Sequence, residues 1–114
     1  MDINENSNKS RLRCITPEAF KATITSSTVT LIDVRSPLEF SEGHIARAIN
    51  IDCYSERFQD LINGLDKTKP YALYCRSGSR SGAVLNFMAN IGFTDVVDLD
   101  GGIIHWCQSG FKLE

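Results

Sequence analysis

The sequence predicts an α/β domain with a mainly parallel sheet. Two observations carry that reading. Short apolar runs of about five residues alternate with segments whose apolar residues recur at helical spacing. The run at 29–34, Val-Thr-Leu-Ile-Asp-Val, is β-branched and apolar enough for an interior strand covered on both faces, as parallel strands are. No internal repeat or low-complexity segment interrupts the alternation.

Residues 1–13 are polar and contain no apolar segment of the secretory-signal kind. They read as a loosely ordered tail ahead of one domain over 14–114, and the protein as cytoplasmic. Residues 11–15 have the composition of a short edge strand. Thr16-Pro17-Glu18 opens a helix, with Thr at the N-cap, Pro at the first helical position and an acid in the first turn. Phe20 and Ile24 give that helix its apolar stripe, and Ser26-Ser27 ends it. After the strand at 29–34, Ser36-Pro37-Leu38-Glu39 has the spacing of a capping box. Gly43 keeps that helix short. A brief strand is expected at 46–51, then a helix at 57–62 with Phe58, Leu61 and Ile62 facing inward and Asn63-Gly64 closing it.

A charged turn at 67–70 leads into an aromatic-rich strand over 71–74. The following loop is polar and begins with a cysteine: Cys75-Arg76-Ser77-Gly78-Ser79-Arg80-Ser81. From about Arg80 the chain turns helical, with Ala83, Val84, Phe87, Met88 and Ile91 on one face and Gly92 as the stop signal. A strand at 95–99, a turn at Asp100-Gly101-Gly102 and a short helix over 103–109 carrying Trp106 complete the chain.

A length of 114 residues allows one packed core. The net charge of −2 gives no reason to expect nucleic acid or an anionic membrane as partner, and no apolar run is long enough to span a bilayer. Any function that uses positive charge must concentrate it, which Arg76 and Arg80 do. The four cysteines, at 14, 53, 75 and 107, form no C-x-x-C pair, so neither a zinc site nor a dithiol motif is expected, and no metal or cofactor.

In open parallel sheets, sites form at the carboxyl ends of strands. Cys75 stands at one such end, Asp33 and Arg35 at another. A free thiol with pKa near 8.5 is only about 3% ionised at pH 7. A helix N-terminus in a partly buried setting contributes up to about 2 kcal/mol to an anion, and charge-assisted hydrogen bonds add to that. The loop therefore needs no histidine to activate its cysteine, and it contains none. Ser77, Gly78 and Ser79 are small enough to let the main chain curl into an anion-binding nest.

Cys-Arg-Ser-Gly-Ser-Arg-Ser, together with Leu31-Ile-Asp-Val-Arg35, Glu39-Phe40, Gly43-His-Ile45, Ala48-Ile-Asn50 and Gly101-Gly-Ile103 with Trp106, resembles the single-domain rhodanese family over about 15–111. The resemblance implies a rhodanese-like three-layer fold with a central five-stranded parallel sheet flanked by helices. It also implies sulfurtransferase chemistry through a persulfide on Cys75. The donor would be a small anion such as thiosulfate; the acceptor would be cyanide, a thiol or a protein. Main-chain donors from Arg76 to Ser81 would hold the persulfide anion, and Arg76 and Arg80 would draw in the donor.

Two other readings compete. Cysteine phosphatases and arsenate reductases of related fold resemble a Cys and Arg separated by five residues, whereas four separate Cys75 from Arg80 here. A non-catalytic binding or regulatory module is the second, and the presence of the cysteine weighs against it. Asp33 and Arg35, one strand period apart, read as supports that fix the loop by hydrogen bonds. His44, His105 and Trp106 read as structural. Cys14, Cys53 and Cys107 read as small buried or half-buried hydrophobes, with a resolving-thiol role for one of them left open.

Overall fold

In a computed structural model, which describes residues 11–114, five strands form one all-parallel sheet in the order β1-β5-β4-β2-β3. They are β1 (Leu12–Ile15), β2 (Thr30–Asp33), β3 (Ile49–Asn50), β4 (Tyr71–Tyr74) and β5 (Val96–Leu99). The helices between them are α1 (Pro17–Ile24), α2 (Pro37–Ser41), α3 (Phe58–Asn63), α4 (Ser79–Asn90) and α5 (Gly102–Gln108). None of the described helices is long and apolar enough to cross a membrane.

Side chains alternate between the two faces of a strand, so β2, β4 and β5 supply two separate cores. Ile32, Leu73 and Val96 meet Phe58 and Ile62 of α3 and Val84 and Met88 of α4 on one face. Leu31, Ala72, Tyr74, Val97 and Leu99 meet Phe20 and Ile24 of α1 and Ile103 and Trp106 of α5 on the other. All four residues of β4 are buried, as a strand covered by helices above and below requires. Cys75 continues β4 onto the α3/α4 face.

The helix starts form as their residues dictate. Thr16 Oγ1 accepts from the Ala19 amide, and Ser36 and Glu39 exchange the reciprocal bonds of a capping box. β1 is an edge strand and takes in Leu12 and Arg13, two residues also read as tail; residues 1–10 of that tail lie outside the described part.

Three expectations need correction. The strand expected at 46–51 shrinks to Ile49–Asn50, because Arg47 adopts a left-handed φ of 72° and Ala48 N–H closes a turn onto Ile45 O. Leu61 is 42% exposed: Phe58 and Ile62, one helical turn apart, fill the inward face of α3 and leave Leu61 at its flank. Cys14 and Cys107 are exposed; only Cys53 is half-buried as read. Trp106 is core, edge-on to Phe20, with its indole N–H donating to Lys112 O.

Candidate active site

The loop after β4 is shaped from both sides. Gly78, at φ +113°, reverses the chain into α4, and its N–H donates to Cys75 Sγ at 3.0 Å. Ser81, in the first turn of α4, places its hydroxyl 3.4 Å from the same sulfur. On the far side, the first amides of α5 take the loop carbonyls: Ile103 N–H donates to Cys75 O at 2.9 Å and Ile104 N–H to Arg76 O at 3.2 Å. Turning those two oxygens toward α5 directs them away from the thiol. The approach is close enough to demand glycine at 102, where φ is +64° and a Cβ would lie 2.4 Å from Arg76 O.

Cys75 is 1% exposed, whereas Arg76, Ser77 and Ser79 are exposed and Gly78 is half-buried. The sulfur thus lies on the floor of the loop with an amide and a hydroxyl aimed at it. Cys75, Gly78 and Ser81 converge there; Arg76, Ser77 and Ser79 form the rim. A cleft of about 440 Å³ lined by Arg35, Glu39, Arg76, Ile103 and Cys107 flanks the rim, and another of about 300 Å³ is lined by Cys53, Tyr54, Phe58, Arg80 and Phe87.

Arg80 does not stand open to an incoming anion. Its Nη1 and Nη2 donate to the two Glu39 oxygens at 2.8 and 3.0 Å, a bidentate pair joining the start of α4 to α2. That hydrogen bonding, aided by the Ser36 amide on the same carboxylate, pulls Glu39 down to about 2 against the desolvation that opposes it. The pair therefore stabilises the fold above the usual glutamate range, and that contribution is lost as pH falls toward about 2.

Asp33 and Arg35 belong to the opposite face. Asp33 sits in register with Tyr74, and Arg35 Nε and Nη2 donate to the Asp33 carboxylate at 3.0 and 2.7 Å. Arg35 Nη2 also donates to Gly43 O, Ile45 N–H donates to Tyr74 Oη, and Asn50 Nδ2 bridges the carbonyls of Asp33 and Arg35. The two residues were expected to fix the cysteine loop; the hydrogen bonds described for them join them to each other and to the segment 43–50 instead. His44 and His105 each place Nδ1 2.9 Å from a backbone carbonyl oxygen, of Phe40 and Asp100, which fits structural roles.

One residue at the site escaped the sequence reading. Asp98, 3% exposed on β5, lies under the first turn of α4, and its Oδ1 has no partner among the described residues. Burial pushes its carboxyl up to about 6. A carboxyl held that high costs the folded state about 3 kcal/mol at neutral pH, a penalty that vanishes below the usual aspartate range near 4. Asp98→Val is accordingly expected to raise stability by about that amount near pH 8 and by little near pH 4, measured by urea unfolding. The visible signal was an acid inside the apolar run Val96-Val97-Asp98-Leu99.

With this geometry in place, a family model described as the rhodanese-like domain matches residues 16–109. The chain belongs to the rhodanese-like family. It is 34% identical over 76 residues to the thiosulfate sulfurtransferase GlpE of Pseudomonas syringae, covering 67% of this chain and 70% of that protein. It is 30% identical over 115 residues to the tRNA uridine(34) hydroxylase of Pelagibacter ubique, covering all of this chain and 38% of the hydroxylase. Among solved structures, a rhodanese-related protein from Thermoplasma volcanium superposes with a TM-score of 0.78 at 32% identity, over 90% of this chain and 97% of that one. The chain thus spans little more than a third of the hydroxylase, and 52% of an uncharacterized Synechocystis protein it also matches. The all-parallel five-stranded sheet between helices agrees with these rhodanese-like neighbours.

Proposed function

We propose that this rhodanese-like domain is a sulfurtransferase that carries a sulfane sulfur on Cys75. The observation that carries the reading is the pair of donors, Gly78 N–H and Ser81 Oγ–H, directed at Cys75 Sγ at the start of α4. Such donors stabilise a sulfur anion, whether the thiolate or the terminal sulfur grown from it.

In the first half-reaction the Cys75 thiolate attacks the outer sulfur of thiosulfate. The donor's S–S bond breaks, sulfite leaves with the bonding pair, and Cys75–S–S⁻ remains. In the second, a thiophilic nucleophile attacks the terminal sulfur and Cys75 leaves as thiolate; cyanide gives thiocyanate, and a cellular thiol or protein gives a persulfide. Two separate half-reactions make the kinetics ping-pong. Similarity to a thiosulfate sulfurtransferase over two thirds of the chain supports the same choice. The phosphatase reading loses ground because only four residues separate Cys75 from Arg80, whose guanidinium Glu39 already occupies.

The test is to follow sulfite release on adding thiosulfate and thiocyanate release on then adding cyanide. Both are expected in stoichiometric amounts; aryl phosphate hydrolysis without sulfite release would overturn the reading. Charge recruitment falls to Arg76, the exposed arginine of the rim. Arg76→Ala is expected to raise KM for thiosulfate about fivefold, an exposed charge interaction of about 1 kcal/mol, while sparing a neutral persulfide donor, whose outer sulfur passes to Cys75 as the thiol leaves. Arg80→Ala, by stranding Glu39, is expected to weaken both donors alike.

A further inference from the structure

A second concentration of positive charge lies away from the cysteine loop. A cleft of about 430 Å³ opens on the α1/α5 side of the sheet, whereas Cys75 belongs to the α3/α4 side. Lys21 of α1, Arg47 and Lys112 line it, all three exposed, and no acid among the described residues does. The whole chain has a net charge of −2, so three cations in one cleft reverse its charge locally. The walls between them are apolar, made by Ile24, Ile45, Trp106 and Phe111.

Each cation is placed by its own segment. Among the described residues, Arg47 alone outside the glycines takes a left-handed φ, at 72°. Its guanidinium crosses the end of α1, where Nη2 donates to Ile24 O. Lys21 sets its ammonium 5.4 Å from the centre of the Phe111 ring. Lys112 is held at the rim by its own carbonyl, which accepts the Trp106 indole N–H at 3.0 Å. Capping α1 accounts for one bond of Arg47, and the ring contact for the position of Lys21. Neither brings a counter-charge, and none of the three forms an ion pair among the described residues.

We propose that this cleft binds a small organic phosphate monoester, its phosphate against the three cations and its flat apolar body against the walls. Three cations call for more than one negative charge, which a phosphate monoester carries and a single carboxylate does not. Arg47 presents a planar fork suited to two phosphate oxygens. A bare phosphate ion would leave the apolar walls uncovered, whereas a flat ring covers them in a cleft of ordinary ligand-site volume. Binding here uses neither Cys75 nor its loop, so the inference stands apart from the sulfur-carrier reading.

Trp106 is the chain's single tryptophan and a wall of the cleft, so its fluorescence reports on the site. The experiment titrates the full chain at low salt with AMP, with adenosine and with inorganic phosphate, each affinity checked by calorimetry. AMP is expected to saturate with a Kd below about 1 mM, and the other two to bind at least about tenfold more weakly. Lys21→Gln and Lys112→Gln are each expected to weaken AMP about fivefold, as the loss of one exposed charge contact does. Arg47→Gly, which keeps the left-handed turn without strain, is expected to weaken it about tenfold. Arg57→Gln, an exposed cation at the start of α3 on the other side of the sheet, is expected to leave AMP binding unchanged. Failure of AMP to saturate, inorganic phosphate binding as tightly as AMP, an unchanged AMP affinity in all three cleft variants, or an equal loss in Arg57→Gln overturns the proposal.

Discussion

Gly102→Ala is expected to lower stability by about 4–6 kcal/mol and to disable the loop around Cys75. At φ +64° any L side chain is strained, at a cost of roughly 1 kcal/mol. The greater penalty is steric: the new Cβ would fall 2.4 Å from Arg76 O and 2.7 Å from Cys75 O, both main-chain atoms that cannot rotate away. Overpacking of this kind costs about 1–3 kcal/mol. The α5 start would have to recede, breaking the Ile103 and Ile104 amide bonds to those same carbonyls at about 1 kcal/mol each. Released carbonyls are free to turn toward the sulfur, which is why function should fall with stability. Urea unfolding and sulfur transfer measured on the same preparation check both halves; a variant as stable and active as wild type would mean that α5 does not set the loop.

Cys75→Ser should separate chemistry from fold. A serine hydroxyl keeps an acceptor for the Gly78 amide in a site of nearly the same shape, so the loss of stability is expected to stay within about 1–2 kcal/mol. Thiocyanate formation, in contrast, is expected to fall at least a thousandfold, because the alcohol is far weaker than the thiolate and cannot form the persulfide. Transfer persisting at a tenth of the wild-type rate would move the sulfur to another cysteine, Cys53 beside Arg80 being the half-buried candidate.

Local signals were legible in the sequence because local physics decides them. Thr16, and Ser36 with Glu39, announce helix starts by satisfying amides within one turn. The apolar runs at 29–34 and 71–74 read as covered strands because both faces must be buried. The cysteine loop was visible for the same reason: small residues, then a helix, directly after a strand. What escaped depends on residues far apart in the chain. Arg80 is paired with Glu39 across 41 positions, a partner that nothing in its own loop announces. Asp33 and Arg35 fall on the face opposite the thiol, which follows from the register of β2 on β4 and from nothing within their own segment. Asp98 looked like one polar residue in a strand until α4 covered it. Even the shortening of the strand expected at 46–51 to Ile49–Asn50 turns on a single left-handed residue, Arg47, whose side chain gives no local warning.

The central claim is that Cys75 binds a sulfur atom under its loop, and the intact mass of the protein after incubation with thiosulfate tests it most directly. The mass is expected to rise by one sulfur atom, located on the peptide containing Cys75, to return to its starting value on adding cyanide, and not to rise at all in Cys75→Ser. An unchanged wild-type mass, or a sulfur found on Cys14, Cys53 or Cys107 instead, would contradict the account.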